Sequence, residues 1–331
     1  MSRADGKTSE AVTSFLYEET LTLAEASTLR NVLSASSSSS GISNFTAITN
    51  SATPNATIPV VQLSAFNSAV NVDVAITPKG AGSLAANVAD NGIVGGNKRG
   101  IYAVDWQTSR GAASRVASGP YATASGGVDN TASGQYSTIG GGAGNIASGS
   151  NDSTVVGGRL NTASGSAAAT VIGGQGNTAS GDYSIAGGQG SIASGSQSIA
   201  IGRSLVADGA WSTATGVEAV TRGLSRVISR SSGGFGGVVG DAQTTRFILR
   251  RAPINATIIE LSGDGAAPGA TTRIVMPNNS TYSFQGQVVG RAFTGECAGW
   301  RFSGTIERGA NAAATAIIGT VLMTDFNVKG T

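Results

Sequence analysis

The amino-acid sequence predicts an all-β protein: a β-solenoid of 14–16-residue coils, preceded by a short N-terminal helix and followed by a C-terminal antiparallel β-domain. Three observations carry this. The triplet Ala-Ser-Gly recurs at near-constant spacing through the middle of the chain, and a fixed period is the signature of repeat architectures. β-Branched apolar residues keep a fixed offset from that triplet. Among 331 residues, 49 are Gly and only 5% are aromatic. Such a chain has few side chains to fill a wide core and suits thin stacked layers.

The same composition narrows the chemistry. Charged residues make up 12%, against about 25% in ordinary globular domains. There is no His and a single Cys, Cys297. That removes Ser-His and Cys-His relays, an ordinary structural zinc site and any intrachain disulfide. No cofactor or metal is expected. A net charge of +2 names no partner. No basic cluster is interleaved with aromatics, so nucleic-acid binding is not expected. The Gly pairs lack GxxxxGK[ST] and repeat with the coils, which is turn chemistry rather than a phosphate loop. No apolar run approaches the roughly 18 residues of a membrane span, and the first residues carry no apolar leader stretch.

The chain divides into segments 1–41, 42–110, 111–216 and 217–331. In the first, Ala11, Phe15, Leu16, Leu21, Ala24, Leu29, Val32 and Leu33 recur at helical spacing and predict a helix over 9–33. The serine run Ser36–Ser40 follows as a linker. This segment reads equally as a frayed terminal helix or as an attachment or trimerising element. In the second, Val70–Ile76 alternates as a strand, ended by a turn at Pro78-Lys79-Gly80.

In the third segment the triplet begins at Ala117, Ala132, Ala147, Ala163, Ala179 and Ala193, and returns as Ala207-Asp208-Gly209. The spacings are 15, 15, 16, 16, 14 and 14. An extra triplet at Ala124 reads as chance or an opening turn. Eight residues before each later triplet stand Ile139, Val155, Val171, Ile185 and Ile199, the expected stacked core. Six before stand Gly141, Gly157, Gly173 and Gly187, the expected turn column, with Ile201 in the last coil. Two before stand Asn130, Asn145, Asn161 and Asn177, then Ser191. Insertions are expected in one corner, just after each triplet. A Gly/Ser linker would not keep Ile or Val at a fixed offset through five coils. One coil offers only one or two medium apolar side chains, each worth about 1.5–3 kcal/mol when buried, against about 1–2 kcal/mol per ordered residue. Burial of the outer faces against identical chains is therefore expected.

The last segment reads as all-β. Phe247-Ile248-Leu249, Ile258–Leu261 and Arg273–Met276 are strand-like, and Tyr282, Phe284, Gly286 and Val288 alternate with polar or small residues. Pro277-Asn278-Asn279 marks a turn, and Ala316–Leu322 is again strand-like. Trp300 and Phe302 share a strand-like alternation and read as core. Arg250-Arg251 reads as a solvated strand end.

Two groups of side chains could carry function. The repeat acids Asp129, Asp152, Asp182 and Asp208 could serve a glycosidase pair, but their scatter favours solvent-facing charges, and no enzymatic activity is expected. Four residues after a triplet Ala stand Tyr121, Tyr136, Tyr183 and Trp211, with Asn151, Ala167 and Gln197 there in other coils. These rings could form an aromatic row that stacks on surface glycans. Packing against the next coil or a neighbouring chain is the favoured reading of the two.

The units NTASGQYSTIGGGAGNIASG (130–149) and SQSIAIGRSLVADGAWSTATG (196–216) resemble the head repeats of trimeric autotransporter adhesins, which also occur in bacteriophage tail fibres. VDVAITPKGAGSLAA (72–86) is similar to segments preceding receptor-binding regions of phage fibres, and GDAQTTRFILRR (240–251) with MPNNSTYSFQGQVVGRA (276–292) to a β-rich C-terminal domain on such fibres. The resemblance implies a left-handed, trimeric parallel β-roll. It implies a non-enzymatic phage virion protein, a tail fibre or spike for host attachment, with no membrane insertion. Its expected partners are two identical chains, other virion proteins through the N-terminal region, and a host cell-surface glycan or protein. The adhesins' secretion signal, stalk and anchor are not seen here, which favours the virion. Alternatives are a capsid cement protein, a polysaccharide-depolymerising tailspike and an adhesin fragment.

Overall fold

A computed structural model of the chain describes residues 76, 78–234, 239–252, 260–267, 269, 271–291 and 297–325. The helix expected over 9–33, the serine linker and all but the last residue of the Val70–Ile76 strand lie outside them. The turn at Lys79–Ala81 is present, with Gly80 at φ +59°.

The described chain is all-β, with a parallel β-solenoid as its main body. Each coil contributes one strand to a large sheet and, through the middle of the stack, one to a smaller six-stranded sheet. The large sheet has 11 strands. Its parallel ladder starts at Leu84–Ala85 and runs through Val104–Asp105 and Thr123–Ala124 to Ile228–Ser232. Stacking therefore extends beyond 111–216 at both ends. Gln243–Arg246 then pairs antiparallel with Ile228–Ser232.

The triplet alanines face the interior from the small sheet: Ala117, Ala132, Ala147, Ala163, Ala179, Ala193 and Ala207 are fully buried. Facing them from the large sheet is the fully buried column Ala124, Ile139, Val155, Val171, Ala186, Ala200 and Ala214. The extra triplet at Ala124 is thus neither chance nor an opening turn: its Ala is a core residue of the opposite sheet. Ile185 and Ile199 depart from the expected column. They pair with Thr170 and Thr213 on the outward side and are only half-buried. The cause is register. From Ala186 to Ala193 the chain is one residue shorter than from Val171 to Ala179, so an offset counted back from the triplet slips by one. A slip of one residue in a strand exchanges the two faces.

Coil length consequently changes at two corners, not one. The 16-residue coils gain a residue after the triplet, and the 14-residue coils lose one in the glycine corner. The tight glycine column is Gly127, Gly142, Gly158, Gly174, Gly188, Gly202 and Gly216. At Gly142, for example, φ is +87° and a Cβ would sit 2.0 Å from the Gly158 carbonyl oxygen, so no side chain fits. Of the glycines expected to turn the chain, Gly141 and Gly173 have φ of +144° and +128°, while Gly157 faces open space. Gly187 lies buried inside the strand Ile185–Gln189, where a Cβ would meet Ile172 at 2.3 Å. It makes room for a neighbour rather than a turn.

The asparagines form a buried ladder. Each Oδ1 accepts the backbone N–H of the next rung (Asn145, Asn161 and Asn177 at 3.0 Å, Ser191 at 2.9 Å). Each Nδ2 donates to the glycine carbonyl four residues back and to one in the next coil, as Asn161 does to Gly157 and Gly174, both at 2.9 Å. Beyond Ser191 the position passes to Leu205 and Ala219, both fully buried. A glutamine that imitates a peptide caps the small-sheet side of the stack towards each end. Gln107 accepts from the Asn130 N–H (2.7 Å) and donates to its carbonyl (3.0 Å). Gln243 does the same for Val220 at 2.8 Å each way. Such caps occupy strand-edge groups that would otherwise be free to pair with another chain. Beside Gln107, buried Asp105 accepts from Arg99 Nε at 2.8 Å and lies 3.8 Å from Arg110.

A separate antiparallel sheet is built from Ser280–Arg291, Cys297–Arg308 and Thr315–Asp325. The predicted alternation at Tyr282–Val288, the turn at Asn278-Asn279 and the strand over Ala316–Leu322 are found. Phe247–Leu249 and Ile274–Met276 are not strands. Phe302 covers Gly286, and Phe284 covers Gly304. The two rings lie 6.2 Å apart, and glycine opposite an aromatic ring is a recurrent cross-strand device. Trp300 and Phe302 are half-buried there, as is the Cys297 thiol.

Candidate functional site

The corner that follows each triplet holds one residue in the left-handed region. In order these are Tyr102, Tyr121, Tyr136, Asp152, Ala168, Tyr183, Gln197, Trp211 and Arg226, with φ between +41° and +58° throughout. The backbone N–H of each, from Tyr121 on, donates to a carbonyl of the preceding coil, as Tyr136 does to Pro120 and Tyr183 to Ala167. That bond fixes the conformation. Left-handed geometry costs a side-chain-bearing residue about 1–2 kcal/mol, and a bulky residue there is an outlier. Five of these nine positions nevertheless carry Tyr or Trp. Strained residues that persist cluster at functional sites, so the corner is the candidate site.

Its side chains form a ladder along the solenoid edge. Tyr102 stacks on Tyr121 at 5.2 Å, and Tyr121 on Tyr136 at 5.0 Å, with interplanar angles of 25° and 18°. Farther along, Trp211 donates its indole N–H to Gln197 Oε1 at 2.8 Å. The Arg226 guanidinium sits 4.4 Å over the Trp211 ring, a cation–π contact. All five aromatics remain about half exposed. The rings of Tyr121 and Tyr136 thus pack against the next coil and still present their edges to solvent.

The structure brings Tyr121, Tyr136, Tyr183 and Trp211 into one column, as the spacing implied. It replaces Asn151 and Ala167 by Asp152 and Ala168, because the longer coils place their extra residue in this corner. Tyr102 was missed, since its coil lacks the triplet. The signal was still present: Gly100-Ile-Tyr-Ala repeats the Gly-x-Tyr-Ala/Ser pattern of Gly119-Pro-Tyr-Ala and Gly134-Gln-Tyr-Ser.

The acids of the repeat are dispersed. Asp129 pairs with Arg115 at 3.0 Å. Asp182 accepts from the Ala167 N–H at 3.2 Å. Asp208 accepts from Thr221 Oγ1 and the Gly223 N–H at 2.8 and 2.6 Å. These three tie neighbouring segments together. Asp152 differs: among the described residues its carboxylate has no hydrogen-bond or ion-pair partner, and it is exposed. Ahead of the repeat, the N–H groups of Gly92 and Gly95 hold the Asp90 carboxyl below the usual carboxylate range. That brace fixes the loop ahead of Gly96.

The chain matches no protein-family model, no curated protein and no solved structure.

Proposed function

We propose that this chain is a non-enzymatic structural protein of a phage virion, a trimeric tail fibre or spike that attaches to the host surface. The observation that carries the reading is the apolar outer surface of the solenoid. On the large sheet Val156 and Ile172 point outward in neighbouring coils, and Ile201 follows beyond Gly187; they are 58%, 47% and 43% exposed. On the small sheet Ile146 and Ile192 point outward, paired with Thr162 and Thr178. Exposed apolar side chains on both outer faces, with only Thr and Gly between them, fit burial of a flat, regular surface against a second copy. Each such side chain is worth about 1.5–3 kcal/mol when covered. The repeat resemblance supplies the trimeric arrangement and its left-handed sense. The N-terminal region is assigned the contact with other virion proteins, and a host glycan or protein is the outward partner. Linked copies raise avidity without stronger single contacts.

The test is the solution mass of the purified protein by light scattering, repeated after mild heating. Three times the chain mass is the expected result, and a folded monomer would sink the trimer. Copy number per particle separates fibre from cement: a few trimers for the first, hundreds of chains for the second. Size analysis of host polysaccharide after incubation tests for the depolymerising alternative, with no shortening expected.

A further inference from the structure

The corner ladder has a wide gap in its aromatic rings. Between Tyr136 and Tyr183 two successive rungs carry Asp152 and Ala168. These are the two coils with an extra residue after the triplet, and in both the extra position brings an exposed serine, Ser150 and Ser166. On either side rungs are in contact: ring on ring from Tyr102 to Tyr136, and Gln197, Trp211 and Arg226 with one another. Three coil steps separate Tyr136 from Tyr183, which at the inter-strand spacing is about 14 Å. One face of Tyr136 lies on Tyr121, and the other faces the gap. Tyr183 is 60% exposed, the most of the five aromatics, and among the described residues it stacks on no other ring. Two tyrosine faces therefore look into a notch whose floor is Ala168 and whose polar groups are the unpaired carboxylate of Asp152 and the hydroxyls of Ser150 and Ser166.

We propose that this notch binds an uncharged hexopyranose unit of a surface polysaccharide. Ring contact needs about 3.5–4.0 Å between carbon atoms, so the gap leaves room for a pyranose ring on one tyrosine face at a time. Stacking uses the apolar C–H face of the sugar, while the carboxylate and serine hydroxyls meet its hydroxyl groups. The closed parts of the ladder cannot do this, because rings 5.0 Å apart leave no space between them. The Asp152 carboxylate in the notch and the Asp182 carboxylate beside its floor, held on the Ala167 N–H, disfavour sialic and uronic acids. The inference rests on the attachment reading only in taking the occupant from a cell surface.

The test is saturation-transfer NMR on the purified full chain with maltotriose, cellotriose and N,N′-diacetylchitobiose, and with N-acetylneuraminic acid as the anionic comparator. At least one neutral saccharide is expected to bind with Kd of about 1 mM, and the anionic sugar not to. Tyr183→Ala and Ala168→Tyr should each weaken binding at least about tenfold. Ala168→Tyr fills the notch with the residue that sister coils carry at the same backbone geometry, so an unchanged melting temperature checks its fold. Trp106→Ala, which removes an exposed aromatic outside the corner, should bind as the parent does. Failure of all three neutral sugars, or unchanged binding by Ala168→Tyr, overturns the notch. Loss of the oligomer mass in Tyr183→Ala also overturns it, because the corner would then be a chain–chain contact. A bacterial-polysaccharide array separates the two readings: signal that persists in both notch variants rejects the notch and keeps attachment through another face.

Discussion

The two halves of the solenoid fill the same cross-section in different ways. From Ala132 to Ala179 the coils have 15 or 16 residues. The large sheet supplies Ile139, Val155 and Val171, and the opposite corner holds a buried asparagine ladder. From Ala179 to Ala207 they have 14. There the large sheet supplies only Ala186 and Ala200, and the corner residue becomes Ser191 and then Leu205. Bulk moves from sheet to corner as the coil shortens. A repeat is therefore conserved as a filled volume with satisfied backbone groups, not as identical side chains in identical columns.

The largest effect that probes this difference is expected in the long-coil half. Asn161→Ala removes the acceptor of the buried Asn177 N–H and the donor to the Gly157 carbonyl. Each buried group left unpaired costs about 1–3 kcal/mol. A destabilisation of about 3 kcal/mol is expected, read from the midpoint of denaturant unfolding. Ser191→Ala, at the same place in a short coil, loses chiefly one bond from Ser191 Oγ to the Gly202 carbonyl and should cost about 1 kcal/mol. Equal effects would mean that the ladder is decoration and that packing alone sets the stability of both halves.

Leu205 tests the other half. It is fully buried, and its Cδ1 lies against the Gly202 corner. Leu205→Ala should cost about 2–5 kcal/mol through lost transfer and the cavity left behind, with a value near 3 kcal/mol the central expectation. Val171→Ala removes less and should cost about 2 kcal/mol. Thermal unfolding followed by circular dichroism orders the two. A smaller loss at Leu205 than at Val171 would place the main support of the short coils elsewhere.

The solenoid was legible in the sequence because its columns are strictly periodic. The triplet alanines, the asparagine column and the aromatic corner all follow from fixed spacing. What was not legible is where each coil gains or loses a residue. Counting from one anchor carries the deletion before Ala193 into every upstream position, which is why Ile185 stood in for Ala186 and Gly187 for Gly188. A second anchor, the left-handed corner residue, would have localised the change. In the C-terminal domain, alternation found the strand through Tyr282–Val288, whereas Phe247–Leu249 and Ile274–Met276 are apolar runs with no partner strand among the described residues to make them sheet. The candidate site was half legible: the aromatics were visible, but the gap between Tyr136 and Tyr183 is a property of the stack, since only superposed coils show which rungs are empty.

The smallest expected effect has the opposite sign. Inside the aromatic corner runs a buried column of Ser137, Ser153, Ser184, Ser198 and Ser212, with alanine instead at Ala122 and Ala169. Ser212 donates to the Gly209 carbonyl at 2.6 Å, but among the described residues the hydroxyls of Ser137, Ser153, Ser184 and Ser198 have no hydrogen-bond partner. A buried hydroxyl without a partner is destabilising relative to an apolar group of similar size. Ser153→Ala should therefore raise stability by up to about 1 kcal/mol, seen as a higher melting temperature. Ser212→Ala should lower it by a similar amount, because it removes a bond that is made. The same substitution with opposite signs in one column would show that the interior is governed by polar satisfaction as well as by width. A loss at Ser153 instead would require a partner for its hydroxyl, such as a bound water bridging to the adjacent coil.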